Sequence, residues 1–233
     1  MDRKNLAWLA IVFTTVFWSS SLILAKIVYP EVTPIIFVTL RYTIACPFLV
    51  LIVAIAQKQT ESTGGVRRVW HLVLAAGIAG PFLSQMLQYI GLSMTTAGET
   101  LLLLNLSPVF AIIMAAPILK ESITSTKVGG LVLAMLGVFL IMLGGTTIDV
   151  EFDSLRLLGD IIIVVSTFLF AINGIVGKIA IESVDSVSLT LYSTISIVPF
   201  LWLTAATMED ITIIPQLSLM SWIILLWVAV VNT

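Results

Sequence analysis

Arg41 is the residue whose type and position most clearly predict chemistry in this sequence. It lies about seven residues into an apolar segment, so a rise of about 1.5 Å per residue places it roughly 10 Å below one helix end. If that segment lies in lipid, the arginine costs about 2.5–3.5 kcal/mol on insertion scales, and we expect it to face the protein interior or an aqueous cavity. There it could bind an anion such as a ligand carboxylate. Alternatively, it extends to the interface or forms a structural pair.

Two further charged residues could act together with Arg41. Glu99 stands near the start of a later apolar segment, and Lys26 near the end of the first one. On one interpretation Glu99 is the ion-pair partner of Arg41, and the three charges form a gate at the outer surface. On the other, Glu99 is an exposed acid in the first turn of a helix, where the helix dipole favours negative charge. Lys26 is then an interfacial anchor.

Uncharged polar residues inside the apolar segments predict a polar cavity. Hydrogen-bonding groups at this depth usually face other helices rather than lipid. These side chains could bind a ligand, or they could hydrogen-bond between helices. Gln85 and Gln88 are three residues apart and therefore share one helix face. The full set is Ser20, Gln85, Gln88, Tyr89, Asn105 and Asn173.

Two prolines near the middle of apolar segments, Pro81 and Pro108, predict interrupted helices. Proline has no amide donor and frees a carbonyl of the preceding turn. Such a break is either an ordinary kink or an unwound segment that binds a solute at the centre of the membrane.

Motifs for catalysis, metal binding and cofactor binding are missing from the sequence. There is no Ser/His/Asp pattern, no Walker glycine loop and no HExxH motif. His71 has no cysteine or carboxylate beside it that could complete a metal site. Arg67 and Arg68 form the strongest basic cluster, which is too small to predict a nucleic-acid partner. We expect no enzyme activity, metal, cofactor or nucleic acid, and any pumping would use a gradient rather than ATP.

The composition predicts a membrane protein. Hydrophobic residues make up 59% of the 233 residues and charged residues 10%, against about 25% charged in a soluble domain. A helix needs about 20 apolar residues to cross the hydrocarbon of a bilayer. Segments of that length lie near 6–28, 34–56, 69–90, 97–117, 127–145, 157–180 and 187–208, and an eighth begins near Leu217. We therefore predict an all-α, polytopic helix bundle.

The distribution of Lys and Arg predicts a cytoplasmic N-terminus. In that orientation most of the 11 Lys and Arg residues fall on the inner side, as cytoplasmic loops require. The inner set is Arg3, Lys4, Lys58, Arg67, Arg68, Lys120, Lys127 and Lys178, the outer set is Lys26 and Arg156, and Arg41 lies within the membrane. We expect the cell membrane as the location.

A shift of 152 residues, the distance from Pro47 to Pro199, aligns rare residue types in two parts of the chain. It places Lys26 on Lys178 and Trp70 on Trp222 as well. The repeat unit holds about five helices, an odd number, so the second copy should be inverted in the membrane. We expect a first repeat over residues 1–148 and a second over 153–233. The second would end in its third helix, so that about seven and a half of ten helices are present.

Short stretches throughout the chain carry a family resemblance. They are Trp18-Ser19-Ser20-Ser21, Ala25-Lys26, Leu40-Arg41-Tyr42, Leu106-Ser107-Pro108-Val109-Phe110, Lys120-Glu121-Ser122-Ile123-Thr124, Gly129-Gly130, Gly137-Val138 and Leu158-Gly159-Asp160. In order and spacing they resemble the EamA-type family of the drug/metabolite transporter superfamily. The resemblance implies ten helices in two inverted five-helix domains and a central cavity that moves small metabolites, often outwards.

Together these patterns predict a secondary transporter of amino acids or related organic compounds that works by alternating access, with export as the expected direction. Membrane lipid is the expected surrounding, and a proton or another ion could drive the cycle. The alternatives are a non-transporting scaffold, which would have apolar helix seams, and a membrane-embedded enzyme, which would cluster catalytic residues at one interface.

Overall fold

The computed structural model describes residues 3–57, 63–119, 124–144 and 154–232. In these ranges every regular element is a helix. The α-helices are α1 (Arg3–Val28), α2 (Pro34–Gln57), α3 (Thr63–Arg68), α4 (Trp70–Gly77), α5 (Gln85–Met94), α6 (Ala97–Leu104), α7 (Ser107–Leu119), α8 (Ser125–Gly144), α9 (Ser154–Ala180), α10 (Ser186–Met208) and α11 (Leu219–Val231). A π-helical segment, Ile78–Ser84, joins α4 to α5, and a 3₁₀ helix, Ile211–Gln216, precedes α11. The motif residues 120–123 and the junction between the expected repeats lie outside the described residues.

The prediction of a polytopic helical membrane bundle is confirmed. Five helical stretches among the described residues are long and apolar enough to cross a membrane: Pro34–Ile55, Trp70–Met94, Ala97–Ala115, Ser154–Ala180 and Ser186–Met208. Shorter apolar helices occupy Phe13–Val28, Ser125–Gly137 and Leu219–Val231. These three shorter helices correspond to the first, fifth and eighth segments expected from the sequence.

Short polar residues fix where several of these helices begin. The side chains of Thr96, Asp185 and Ser218 accept hydrogen bonds from backbone amides three residues further on. Each bond satisfies one of the amides that have no partner in the first turn of a helix. Pro34 stands first in α2, where its lack of an amide hydrogen costs nothing.

α9 lies at the centre of the described bundle and packs against α4, α5, α6, α7 and the π-helical segment. Its contact with α5 is close because glycines meet there: a Cβ atom on Gly91 would lie 2.8 Å from the carbonyl oxygen of Gly159. At the end of the π-helical segment, Ser84 contacts α9 as well: Ser84 and Ser166 each donate to the other's carbonyl oxygen, at 3.0 and 2.9 Å. Small residues let helix backbones approach in a membrane, and hydroxyls then bond between them.

The two proline segments take different forms. Pro81 lies inside the π-helical segment, so the chain widens there but stays helical. Pro108 is the second residue of α7, and the helix is interrupted just before it, at the turn formed by Asn105 and Leu106. A proline in a first helical turn removes an amide that would have no partner anyway.

Candidate functional site

A cavity of about 370 Å³ lies between α1, α2, the π-helical segment, α9 and α10. Side chains from all of these elements reach it, so residues far apart in sequence meet at one place. The lining residues are Trp18, Arg41, Tyr42, Ala76, Gly80, Pro81, Gln85, Phe170, Asn173, Gly174, Gly177, Leu189, Thr190, Ser193, Thr194 and Asn232.

Arg41 faces the interior of the bundle and is only 2% exposed. Its Nη1 donates to Gln85 Oε1 at 3.1 Å and to Tyr89 Oη at 2.9 Å, and its Nη2 donates to the carbonyl oxygen of Asn232 at 2.5 Å. The guanidinium carbon also lies 5.3 Å from the ring centroid of Tyr42, within the range of a cation–π contact. The hydrogen-bond acceptors in these contacts are all uncharged.

A hydrogen-bond network extends from Arg41 into α5 and α1. Gln85 Nε2 donates to Gln88 Oε1 at 3.2 Å, and Tyr89 Oη donates to Ser21 Oγ at 3.4 Å. Tyr29 Oη donates to the backbone carbonyl of Tyr89 at 2.8 Å. Gln85, Gln88 and Tyr89 are buried, so the dipoles around the guanidinium are fixed by packing.

Positions separated by the repeat offset of 152 residues face the same cavity. Trp18 and Phe170 stack, with ring centroids 6.1 Å apart and planes inclined at 24°. Arg41 and Ser193, Tyr42 and Thr194, and Gly80 and Asn232 are further pairs at this offset among the lining residues. Equivalent positions of the two expected repeats therefore meet around one space, where the second repeat carries a neutral serine in place of the arginine.

Asn173 lies against the π-helical segment. A Cβ atom on Gly80 would come within 2.6 Å of the Asn173 side chain, so the glycine makes room for this amide. Pro81, beside it, also lines the cavity. Of the polar residues picked out in the sequence, Gln85 and Asn173 thus reach the cavity, and Gln88 and Tyr89 lie behind it.

Glu99 forms an ion pair with Arg156. The interpretation that Glu99 pairs with Arg41 is therefore wrong, whereas its position in the first turn of α6 agrees with the other interpretation. The guanidinium of Arg156 contacts both carboxylate oxygens of Glu99, and Thr95 Oγ1 donates to Oε2 at 2.6 Å. Glu99 also completes a capping box with Thr96 at the start of α6. The pairing follows from the fold, because the beginnings of α6 and α9 pack together.

Lys26, Ser20 and Asn105 are not among the described residues that line the cavity. Lys26 lies in the last turn of α1. Ser20 Oγ donates to the carbonyl of Phe17 at 2.6 Å within its own helix. Asn105 Nδ2 donates to the carbonyl of Leu101 at 2.9 Å and is exposed where α6 ends.

The structure adds functional candidates that the sequence reasoning missed. Trp18, Tyr42, Phe170, Ser193 and Thr194 line the cavity. The repeat offset could have found the last three, since adding 152 to Trp18, Arg41 and Tyr42 gives their numbers. A buried carboxylate in α9, Asp160, is 2% exposed; its signal was an acidic residue inside an apolar segment.

Comparison with known proteins gives a family and one distant relative. Residues 5–143 match the model of the EamA-like transporter family. An uncharacterized transporter of Archaeoglobus fulgidus is 28% identical over 134 residues, which are 56% of this chain and 45% of that protein. The match thus covers less than half of that relative's length. No solved structure matches the chain.

Proposed function

Because the chain belongs to the EamA-like transporter family, we propose that it is a secondary transporter that exports amino acids or related organic acids across the cell membrane. Residues 1–148 and 153–233 would belong to two inverted repeats. The cavity between them would bind the substrate and open to each side in turn by alternating access.

The observation that carries this proposal is the guanidinium of Arg41 at the cavity. It is the charged group among the described lining residues, and it is buried. The amide of Gln85 is one neutral acceptor of Arg41, so a substrate carboxylate that takes the place of this amide gains a charge-assisted bond. The fork geometry of arginine suits a carboxylate in particular.

The rest of the cavity suits a small amphiphilic molecule. Its volume, about 370 Å³, lies at the lower end of the range of ligand sites. Trp18, Phe170 and Leu189 provide an apolar wall, and Asn173 and Thr190 provide polar groups away from Arg41. An amino acid could place its carboxylate on Arg41, its amine on side-chain oxygens and its side chain against the aromatic rings.

The alternating movement would take place where the two repeats meet. Trp18 from α1 and Phe170 from α9 stack across the cavity, so a rocking of one repeat against the other would separate or close this pair. A scaffold would need apolar helix seams here instead, and an enzyme a cluster of catalytic groups. A buried arginine among polar side chains favours transport over both.

Solute exchange in proteoliposomes tests this function. Vesicles that contain the chain are loaded with a mixture of amino acids and small organic acids, and uptake of each labelled compound is followed as counterflow. We expect at least one carboxylate-bearing compound to exchange, and Arg41→Gln to lower the rate at limiting substrate. Loss of a bond to a charged group, about 1.5–3 kcal/mol, corresponds to about 10- to 150-fold.

Arg67→Gln is the matched control, because Arg67 is exposed at the end of α3; it should exchange like the wild type. If no compound in the mixture exchanges, or if Arg41→Gln exchanges as fast as Arg67→Gln, the proposed function or the role of Arg41 is wrong.

A further inference from the structure

Asp160 is a buried carboxylate that the transport site does not use. It lies in the second turn of the membrane-spanning helix α9 and is 2% exposed. Its Oδ1 atom is fully buried and has no hydrogen-bond partner within the described part of the chain. A buried ionised carboxylate without a partner is strongly disfavoured, so something must neutralise this group.

The surroundings of Asp160 contain one ion pair. Arg156 stands four residues earlier on α9 and therefore on the same face, and Glu99 from α6 accepts hydrogen bonds from this guanidinium. Two other elements packed on α9 carry titratable side chains. α5 carries Tyr89, which contacts Arg41, and α4 carries His71, which is exposed at the start of α4. The described residues of α7 and of the π-helical segment carry no titratable group.

A second buried polar atom without a partner lies on the helix that packs against this part of α9. Gln88 is 1% exposed, and its Nε2 has no hydrogen-bond partner among the described residues. It shares a helix stripe with Ser84 and Gly91, which contact α9. Its Oε1 accepts from Gln85, which in turn accepts from Arg41. A hydrogen-bond chain from the cavity thus ends at the contact between α5 and α9, the helix that carries Asp160.

We propose that Asp160 binds the proton that is exchanged for substrate, an inference that rests on the proposed transport function. A metal cation in its place would need several oxygen ligands at fixed distances, and the described residues contain no group of three or more His, Cys, Asp or Glu that could supply them. A proton needs only the one carboxyl group.

The position of Arg156 suggests how the proton would act. When the proton leaves the Asp160 carboxyl for water, the carboxylate left behind competes with Glu99 for the guanidinium of Arg156. The ion pair between Glu99 and Arg156 connects α6 to α9, so deprotonation of Asp160 would weaken the contact between these two helices. Gln88, at the end of the chain from Arg41, would transmit the change to the substrate site.

Infrared spectroscopy tests for the proton without any substrate. pH-difference spectra of the chain in lipid vesicles record the C=O band of a protonated carboxylic acid. We expect such a band in the wild type, its loss in Asp160→Asn and a shifted band in Asp160→Glu. Asp210→Asn is the matched control, because Asp210 is an exposed helix cap outside the spans, and it should keep the band. A band that persists unchanged in Asp160→Asn, or a wild type without one, overturns the proposal.

The coupling itself is measured in vesicles that contain a pH-sensitive dye. Adding the exchanging compound should change the internal pH in the wild type and in Asp210→Asn, whereas Asp160→Asn should exchange labelled compound without moving protons. A pH change that Asp160→Asn retains contradicts the proposal. If no compound exchanges even in the wild type, the transport function fails, while the infrared band still decides whether Asp160 carries a proton.

Discussion

At the residue scale, neutral hydrogen-bond acceptors help to orient Arg41. Gln85, Tyr89 and the backbone carbonyl of Asn232 accept hydrogen bonds from its guanidinium. The amide and phenol are themselves held by Gln88 and Ser21. Such support is what keeps a binding group in one geometry.

Tyr89→Phe should weaken substrate binding while it preserves the fold. The change removes the oxygen that accepts from Arg41 but keeps the ring, which packs 5.0 Å from Phe37. Loss of one bond to a charged group, about 1.5 kcal/mol or more, corresponds to about tenfold or more in the substrate concentration that half-saturates exchange. Tyr192→Phe, at a half-buried tyrosine of α10, is the control. Equal half-saturation in the two variants would argue against the role of Tyr89.

At the element scale, the contact between α5 and α9 fixes the site because α5 brings Gln85 to the cavity, with Tyr89 behind it, and α9 brings Phe170 and Asn173. This contact depends on backbone approach at Gly91 and Gly159. α2, which carries Arg41, is held in turn by α10 and α11, where Trp202 Nε1 donates to Thr43 Oγ1 at 2.9 Å.

Gly91→Ala should destabilise the protein by about 1–3 kcal/mol, as expected for overpacking a close contact. The new methyl would lie 2.8 Å from a backbone oxygen of Gly159, which cannot move without its helix. Gly129→Ala in α8 is the matched control, because apart from its two chain neighbours and the nearby backbone of α8 no atom of the described residues lies within 4 Å of its Cβ position. Thermal unfolding in detergent compares the two. If both variants unfold at the same temperature, the backbone contact does not limit the packing.

The start of α11 should loosen in acid. Glu31 accepts from Ser218 N at 3.0 Å and from Ser221 Oγ at 2.7 Å, and these hydrogen bonds hold the pKa of Glu31 below its ordinary value of 4.5. A lowered pKa means that this contribution to stability is complete above pH 4.5 and is lost as the pH falls through the lower value of the folded state. Glu31→Gln should therefore reduce thermal stability at pH 7 and match the wild type at strongly acidic pH.

Glu182→Gln, at an exposed acid between α9 and α10, should leave stability unchanged at both pH values. A Glu31→Gln defect of equal size at neutral and acidic pH would show that the hydrogen bonds to the carboxylate are not its cause.

The sequence could predict the membrane spans but not all of the ion-pair and hydrogen-bond partners of the side chains. Apolar length and the absence of charge are local properties, so the helical bundle and the depth of Arg41 follow from the segment around residue 41 alone. The pairing of Glu99 with Arg156 depends on which helix ends meet, and these residues are 57 positions apart. Asp160 shows the same limit, because only the packing of α9 reveals that its Oδ1 has no described partner. The π-helical segment around Pro81 also contacts α9 and α10, which no local pattern in the sequence shows.

At the scale of the whole molecule, the cavity lies where the two expected repeats meet, and residues from both repeats line it. Residues at an offset of 152, such as Trp18 and Phe170, face each other, so each repeat contributes an equivalent wall. Arg41 opposite Ser193 makes the pair unequal in charge. A site built in this way could be exposed to one side by one repeat and to the other side by its inverted counterpart.

Access to the cavity from both sides of the membrane tests this account most directly. In a Cys46→Ser background, Ser193→Cys places one thiol in the cavity that Arg41 also lines. An impermeant thiol reagent is then applied to right-side-out and to inside-out vesicles. We predict that the same position reacts from both sides and that an exchanging carboxylate compound slows both reactions. Reaction from one side alone, with no effect of any such compound, would contradict alternating access at this cavity.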